Sequence, residues 1–160
     1  MLKITSRENQ RLIHARKVRD GFAKDLIFVE GVRLAEEVLR SDLKILDAFI
    51  TDGFAQTERG KSFLQKAENF NLAEVSEKIF DSLSDTKNSQ GIIIICETPA
   101  TGRNFIEAKL SQNQKFPLLV LLHQINNPTN LGAILRTCEA VNVAGVILTK
   151  KSADAFSPKA

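Results

Sequence analysis

The chain contains no tryptophan and no tyrosine. Stacking of a ring on a nucleobase would therefore fall to phenylalanine, and no stacking motif of the RRM type is visible. Cysteine is equally scarce. Cys96 and Cys138 are far apart and in no metal-type spacing, which argues against a disulfide framework or a metal site. Both read as buried structural residues of a reduced, cytoplasmic protein. No apolar run approaches the roughly 20 residues that span a bilayer. The start, Met1 to Arg7, lacks the apolar stretch of a secretory signal. There is no G-x-G-x-x-G or Walker sequence, no internal repeat and no low-complexity tract. Charge of one sign is only mildly in excess. A net charge of +3 and a pI near 8.9 permit a polyanionic partner without demanding one.

What is present is ordinary globular composition. The 160 residues, 43% hydrophobic and 26% charged, suffice for one solid core or two small ones. Thr5 with Glu8 fits a capping box ahead of a helix to about Asp20. Asp25 to Val29 reads as a buried strand, and Glu30-Gly31 as a turn whose acid favours a helix start or orders the turn. Val32, Ala35, Val38 and Leu39 mark one helical face. Strands are predicted at Ile45 to Thr51, Leu72 to Val75 and Gly91 to Cys96, the last buried on both faces. Helices are predicted at Glu58 to Phe70 and, capped by Ser76, through Leu83. This alternation predicts an α/β layer domain over residues 1–98.

Residues 99–116 change texture, with polar, turn-rich stretches around a short helical patch, and read as a linker. A new unit, 117–160, opens with the apolar strand Leu118 to Leu122. A helix from about Leu131 to Asn142 and a strand at Gly145 to Thr149 complete a βαβ unit of the parallel-sheet kind.

Between that strand and helix lies Asn127-Pro128-Thr129-Asn130-Leu131-Gly132, with Arg136 one turn further on. In open α/β sheets, sites form at the C-terminal ends of strands. Pro128 restricts Asn127 to extended backbone, and Asn130 is placed to cap the helix. Gly132 admits another backbone or a ligand to the first turn. Leu131, Ile134, Leu135, Cys138 and Val141 should face the sheet. At about 100° per residue Arg136 then projects from the opposite side, toward solvent or a ligand.

The first 25 residues are basic, with Arg7, Arg11 and His14 on one helical stripe and Arg16, Lys17 and Arg19 beside it. Such a stripe follows a phosphate backbone or simply solvates a helix face. His123 at its strand end and Lys150-Lys151 after the last strand carry the same two readings, site contact or solvated polar residue.

Asn127-Pro128-x-Asn130-x-Gly132-x-x-x-Arg136 after an apolar strand resembles the first motif of the SpoU (TrmH-like) branch of SPOUT RNA methyltransferases. Ile4-Thr5-Ser6 with Asn9, and Phe28-Val29-Glu30-Gly31 with Arg33, are similar to that family's substrate-binding domain. Gln90-Gly91-Ile92 and Phe156-Ser157-Pro158-Lys159 also look familial. The resemblance implies a kink-turn-binding ribosomal-protein-like domain followed by the first βαβ of an α/β-knot domain. It implies methyl transfer from S-adenosylmethionine to a ribose 2′-hydroxyl of RNA, rRNA rather than tRNA, by a homodimer. It assigns catalysis to Arg136 and Asn130. The candidate RNA contacts, read from the basic residues, are Arg7, Arg11, Arg16, Lys17, Arg19 and Arg33. The family proposal has the arginine activate the hydroxyl. Guanidinium chemistry, donor-only with a pKa above about 12, favours stabilising the developing alkoxide instead. Family members continue past this point into motifs that form the knot and most of the methyl-donor pocket, so the expectation is a truncated fragment whose cofactor-binding residues are unknown. The competing expectation is a noncatalytic RNA-binding module. A half-built sheet would also expose an apolar face and favour association.

Overall fold

The computed structural model describes residues 1–67, 70–86, 89–111 and 117–160. The chain divides into two compact units, Met1–Thr98 and Pro99–Ala160.

In the first unit the elements run β1 (Leu2–Ile4), α1 (Gln10–Arg19), β2 (Leu26–Glu30), α2 (Val32–Arg40), β3 (Ile45–Ile50), α3 (Asp52–Gln56), α4 (Glu58–Lys66), β4 (Leu72–Val75), α5 (Glu77–Leu83) and β5 (Ile92–Glu97). The sheet order is β1-β4-β3-β5-β2. β1, β4 and β3 run parallel, while β5 is antiparallel to both β3 and β2. Ile92 through Cys96 are fully buried. The apolar run on β5 thus marks burial on both faces, although the strand is not in a parallel environment. One core gathers Leu12, Ala15 and Val18 of α1, Ile79, Phe80 and Leu83 of α5, and Phe28, Phe49, Ile93 and Ile95 of the sheet.

Two boundaries differ from expectation. The Thr5–Glu8 capping box does not form. Asn9 caps α1 instead, its Oδ1 accepting the Arg11 N–H at 2.9 Å. The residues before it are drawn into β1, where Lys3 pairs across to Glu74 at 2.9 Å. The helix expected as far as Phe70 ends at Lys66, and Ala67 is its C-cap; residues 68 and 69 of that expectation lie outside the described residues.

The second unit contains α6 (Arg103–Leu110), β6 (Leu119–Leu122), α7 (Pro128–Ala140) and β7 (Gly145–Leu148). Residues 99–111 of the expected linker therefore carry a helix; 112–116 lie outside the described residues. β6 and β7 pair in parallel, Leu119 with Gly145 through Leu122 with Leu148. Leu131 and Cys138 of α7 are buried, whereas Val141, expected on the same stripe, is 61% exposed because it lies past the helix end as C-cap. Leu118, Leu119, Leu121 and Ile147 are exposed large apolar side chains of this unit. No described helix is long and apolar enough to cross a membrane.

Candidate functional site

The exit from β6 is held by side chains. Gln124 adopts a left-handed φ of +53°, unusual for a residue with a β-carbon. Its N–H donates to Thr149 Oγ1 at 3.1 Å, and the same hydroxyl lies 3.2 Å from His123 Nδ1. Thr149 thus ties the end of β7 to the exit of β6. Further on, the Ala153 N–H donates to the Ile125 carbonyl at 2.7 Å. Both links come from beyond β7, so the segment after β7 shapes the loop before α7.

α7 begins earlier than the sequence suggests. Pro128 takes the first helical position, where its missing N–H costs nothing, and Asn127 is the N-cap. Asn127 Oδ1 accepts the Asn130 N–H at 3.1 Å. Asn130, expected as the cap, is therefore inside the first turn. Its exposed side chain borders an open hollow of about 390 Å³, together with Gln124, Ile125, Asn126, Asn127, Ala133 and Ile134.

Gly132 is buried, and its neighbour is backbone. A β-carbon there would stand 2.2 Å from the carbonyl carbon of Ala160. Arg136 is exposed and makes no hydrogen bond or ion pair among the described residues. It does not line the hollow that Asn130 borders. Six residues along a helix rotate a side chain by roughly 120° from the starting direction, so the two expected catalytic residues share a helix but not a face.

In the first unit, four of the six expected RNA-contacting cations are engaged internally. Arg11 sits over the Phe49 ring at 5.4 Å and forms an ion pair with buried Asp47; its Nη2 also donates to the Asn71 carbonyl at 2.6 Å. Arg7 donates to the Lys78 carbonyl at 2.8 Å, and Arg16 to the Arg7 carbonyl. Arg19 donates to the carbonyls of Ser82 and Leu83 at 3.1 and 2.9 Å and pairs with Asp20. The expected stripe of Arg7, Arg11 and His14 is thus no row of three unengaged side chains: Arg11 is half-buried, and Arg7 reaches α5. Lys17 and Arg33 are exposed and without an ion pair among the described residues.

Arg33 stands on the first turn of α2, at a junction the sequence did not reveal as one. Gly31 enters α2 with φ +102°, and Gln90 Oε1 accepts the Val32 N–H at 2.8 Å, capping the helix from a distant segment. Glu30 accepts the Asp85 N–H at 2.9 Å and the Thr86 hydroxyl at 2.7 Å, and bonds the Ser84 hydroxyl. It orders residues 84–86 rather than the helix start. Residues 28–33 and 90–92 were each legible as familial segments, but their contact was not. Among the described residues no cluster of three acids, histidines or cysteines could hold a metal.

Comparison with known proteins gives two family matches. Residues 8–94 match the MRM3-like substrate binding domain, and residues 117–160 match the SpoU rRNA Methylase family. The chain is 28% identical to the 23S rRNA (guanosine(2553)-2'-O)-methyltransferase RlmP of Bacillus subtilis, over 99% of this chain and 59% of that protein. It is 31% identical to the 23S rRNA (guanosine-2'-O-)-methyltransferase RlmB of Vibrio cholerae, over 80% of this chain and 52% of that protein. A crystal structure of an rRNA methyltransferase from Sinorhizobium meliloti superposes with a TM-score of 0.79 at 23% identity, covering 98% of this chain and 58% of that one. The SpoU methyltransferase AviRb from Streptomyces viridochromogenes, solved with AdoMet, superposes at 0.78 with 17% identity, covering 95% and 57%. The chain thus spans little more than half the length of the relatives it matches.

Proposed function

Because the chain belongs to the SpoU rRNA methylase family and carries an MRM3-like substrate-binding domain, we propose that it is part of an rRNA 2′-O-methyltransferase. The first unit holds the RNA, with Lys17 and Arg33 on phosphates. The second unit presents Asn130 and Arg136 to the target ribose. The observation that carries this reading is the first turn of α7, fixed by Asn127 and Pro128 at the end of a parallel strand, with a guanidinium further along the helix that is unpaired among the described residues.

Arg136 is a permanent cation, and its part is electrostatic. Placed beside the ribose it stabilises negative charge developing on the 2′-oxygen and anchors the adjacent phosphate. The Asn130 amide has both donor and acceptor capacity to orient the hydroxyl. S-adenosylmethionine would supply the methyl group as a sulfonium. No residue of this chain is assigned to hold the cofactor. The exposed leucines at 118, 119 and 121, with Ile147, support assembly as a homodimer. The two free cysteines fit a cytoplasmic setting.

The test is methyl transfer from labelled S-adenosylmethionine to unmodified rRNA, using the protein that contains this chain, with Arg136→Ala alongside. Label on a ribose 2′-oxygen, formed about 10² to 10³ more slowly by Arg136→Ala with RNA binding retained, is the expected result. RNA binding without transfer under any condition would leave a binding module and overturn the catalytic reading.

A further inference from the structure

Among the described residues Phe22 is the most exposed of the large apolar side chains, at 80%. It is nevertheless held in place. The Gly21 N–H donates to the Val18 carbonyl at 3.0 Å and the Phe22 N–H to the Lys17 carbonyl at 2.8 Å, with Gly21 at φ +78°. This bond pair is the glycine-based closure of a helix C-terminus. In that closure the residue at Phe22's position commonly packs on an apolar residue at Lys17's position. Here the position holds an exposed lysine, so the ring stays in solvent on a fixed backbone. The other limb of the turn is pinned as well: Thr98 donates through its hydroxyl to the Lys24 carbonyl at 3.3 Å and through its N–H to the Asp25 carbonyl at 2.8 Å.

The surroundings are polar. Lys17 and Lys24 are exposed and make no ion pair among the described residues. Asp20 is paired with Arg19 at 2.8 Å, which leaves Asp25 as the turn's one unpaired acid. Within residues 17–25 no other large apolar side chain is exposed to extend the ring into an apolar patch. An exposed aromatic ring on a fixed turn that also carries lysines is instead the pattern that takes single-stranded nucleic acid, a base on the ring and phosphates on the cations.

We infer that the Phe22 turn is a stacking platform for an unpaired RNA base, with Lys17 and Lys24 on the flanking phosphates. This rests on the RNA reading above and extends it to a contact that neither the motif nor the basic stripe contains. Because the chain has no tryptophan, Phe22→Trp introduces a single fluorophore at the platform. A short mixed-sequence single-stranded oligoribonucleotide should quench it saturably, and the same sequence as a duplex should not. Phe22→Ala should weaken binding of the single strand roughly tenfold, with an unchanged thermal midpoint, since the ring is 80% exposed. An unquenched tryptophan in a saturated complex, or equal affinity of Phe22→Ala and the parent, would overturn the platform while leaving the RNA reading standing. Failure of the parent chain to bind RNA would overturn both.

Discussion

Gly132 and Ala160 approach so closely that no side chain fits between them: a β-carbon on Gly132 would lie 2.2 Å from the Ala160 carbonyl carbon. The turn 154–160, closed by the Ser157 N–H to Asp154 and the Ala160 N–H to Ser157, thus rests on the first turn of α7. Gly132→Ala should push that turn off and cost about 1–3 kcal/mol, as overpacking does. Hydrogen exchange at the Ser157 and Ala160 amides would register it; unchanged protection would show that the contact is soft.

Arg136 is exposed and makes no hydrogen bond or ion pair among the described residues, so replacing it should leave stability within about 0.5 kcal/mol. Methyl transfer should fall by about 10² to 10³ in Arg136→Ala, the scale of a lost electrostatic donor. Arg136→Lys should retain part of the rate if charge carries the effect. A lysine variant as inactive as alanine, with RNA still bound, would mean that guanidinium geometry or proton transfer matters instead.

Removing Arg11 is expected to act on folding. Asp47 is 7% exposed, and Arg11→Ala would leave its carboxylate buried and unpaired, at a cost of about 3 kcal/mol. Urea unfolding measures that directly. Lys17→Ala/Arg33→Ala should instead leave stability alone and reduce the salt slope of RNA binding by roughly two. The reverse pattern would restore the arginine stripe as the phosphate contact.

Burial pushes the Cys96 thiol up to about 11 from an ordinary 9.0. The folded state then holds its proton more tightly than the unfolded state. Stability contributed by the neutral thiol is fully present below pH 9.0 and is lost as pH rises toward 11. The Lys3 ammonium, raised by its hydrogen bond to Glu74 and by that carboxylate's charge, acts in the same direction at still higher pH. Cys96 should resist alkylation at neutral pH until the chain unfolds. Rapid labelling of the folded protein at Cys96 would contradict the burial.

Thr149→Val keeps the shape of the side chain and deletes the acceptor of the Gln124 N–H. With Gln124 left-handed and unsupported, its amide should exchange faster and the loop from Gln124 to Asn127 should lose order. An unchanged exchange rate at Gln124 would assign the loop's shape to the Ala153–Ile125 bond alone.

These residues also mark what was legible in the sequence. The isoleucine run of β5 announced a buried strand because every position is apolar. β1 was hidden, since only Ile4 of its three residues is buried and its partner β4 lies far along the chain. The α7 loop was recognisable from residue types, yet which asparagine caps depends on where Pro128 starts the helix. That four first-unit arginines also make internal contacts was not legible, because nothing local reveals Asp47, 36 residues from Arg11, or the carbonyls of α5 that meet Arg19. Long-range partners decide whether a cation is structural or available, and spacing along a helix does not report them.

The sheet order also has a consequence for synthesis on the ribosome. β2 is made early, yet its partner in the sheet is β5, the last strand of the unit, which slots between β3 and β2. Until residues 92–97 have emerged, β2 has no ladder to join and must be sheltered by neighbouring helices. The nascent domain should therefore stay open and protease-sensitive through most of its translation, then close late, when the start of the second unit is already being made.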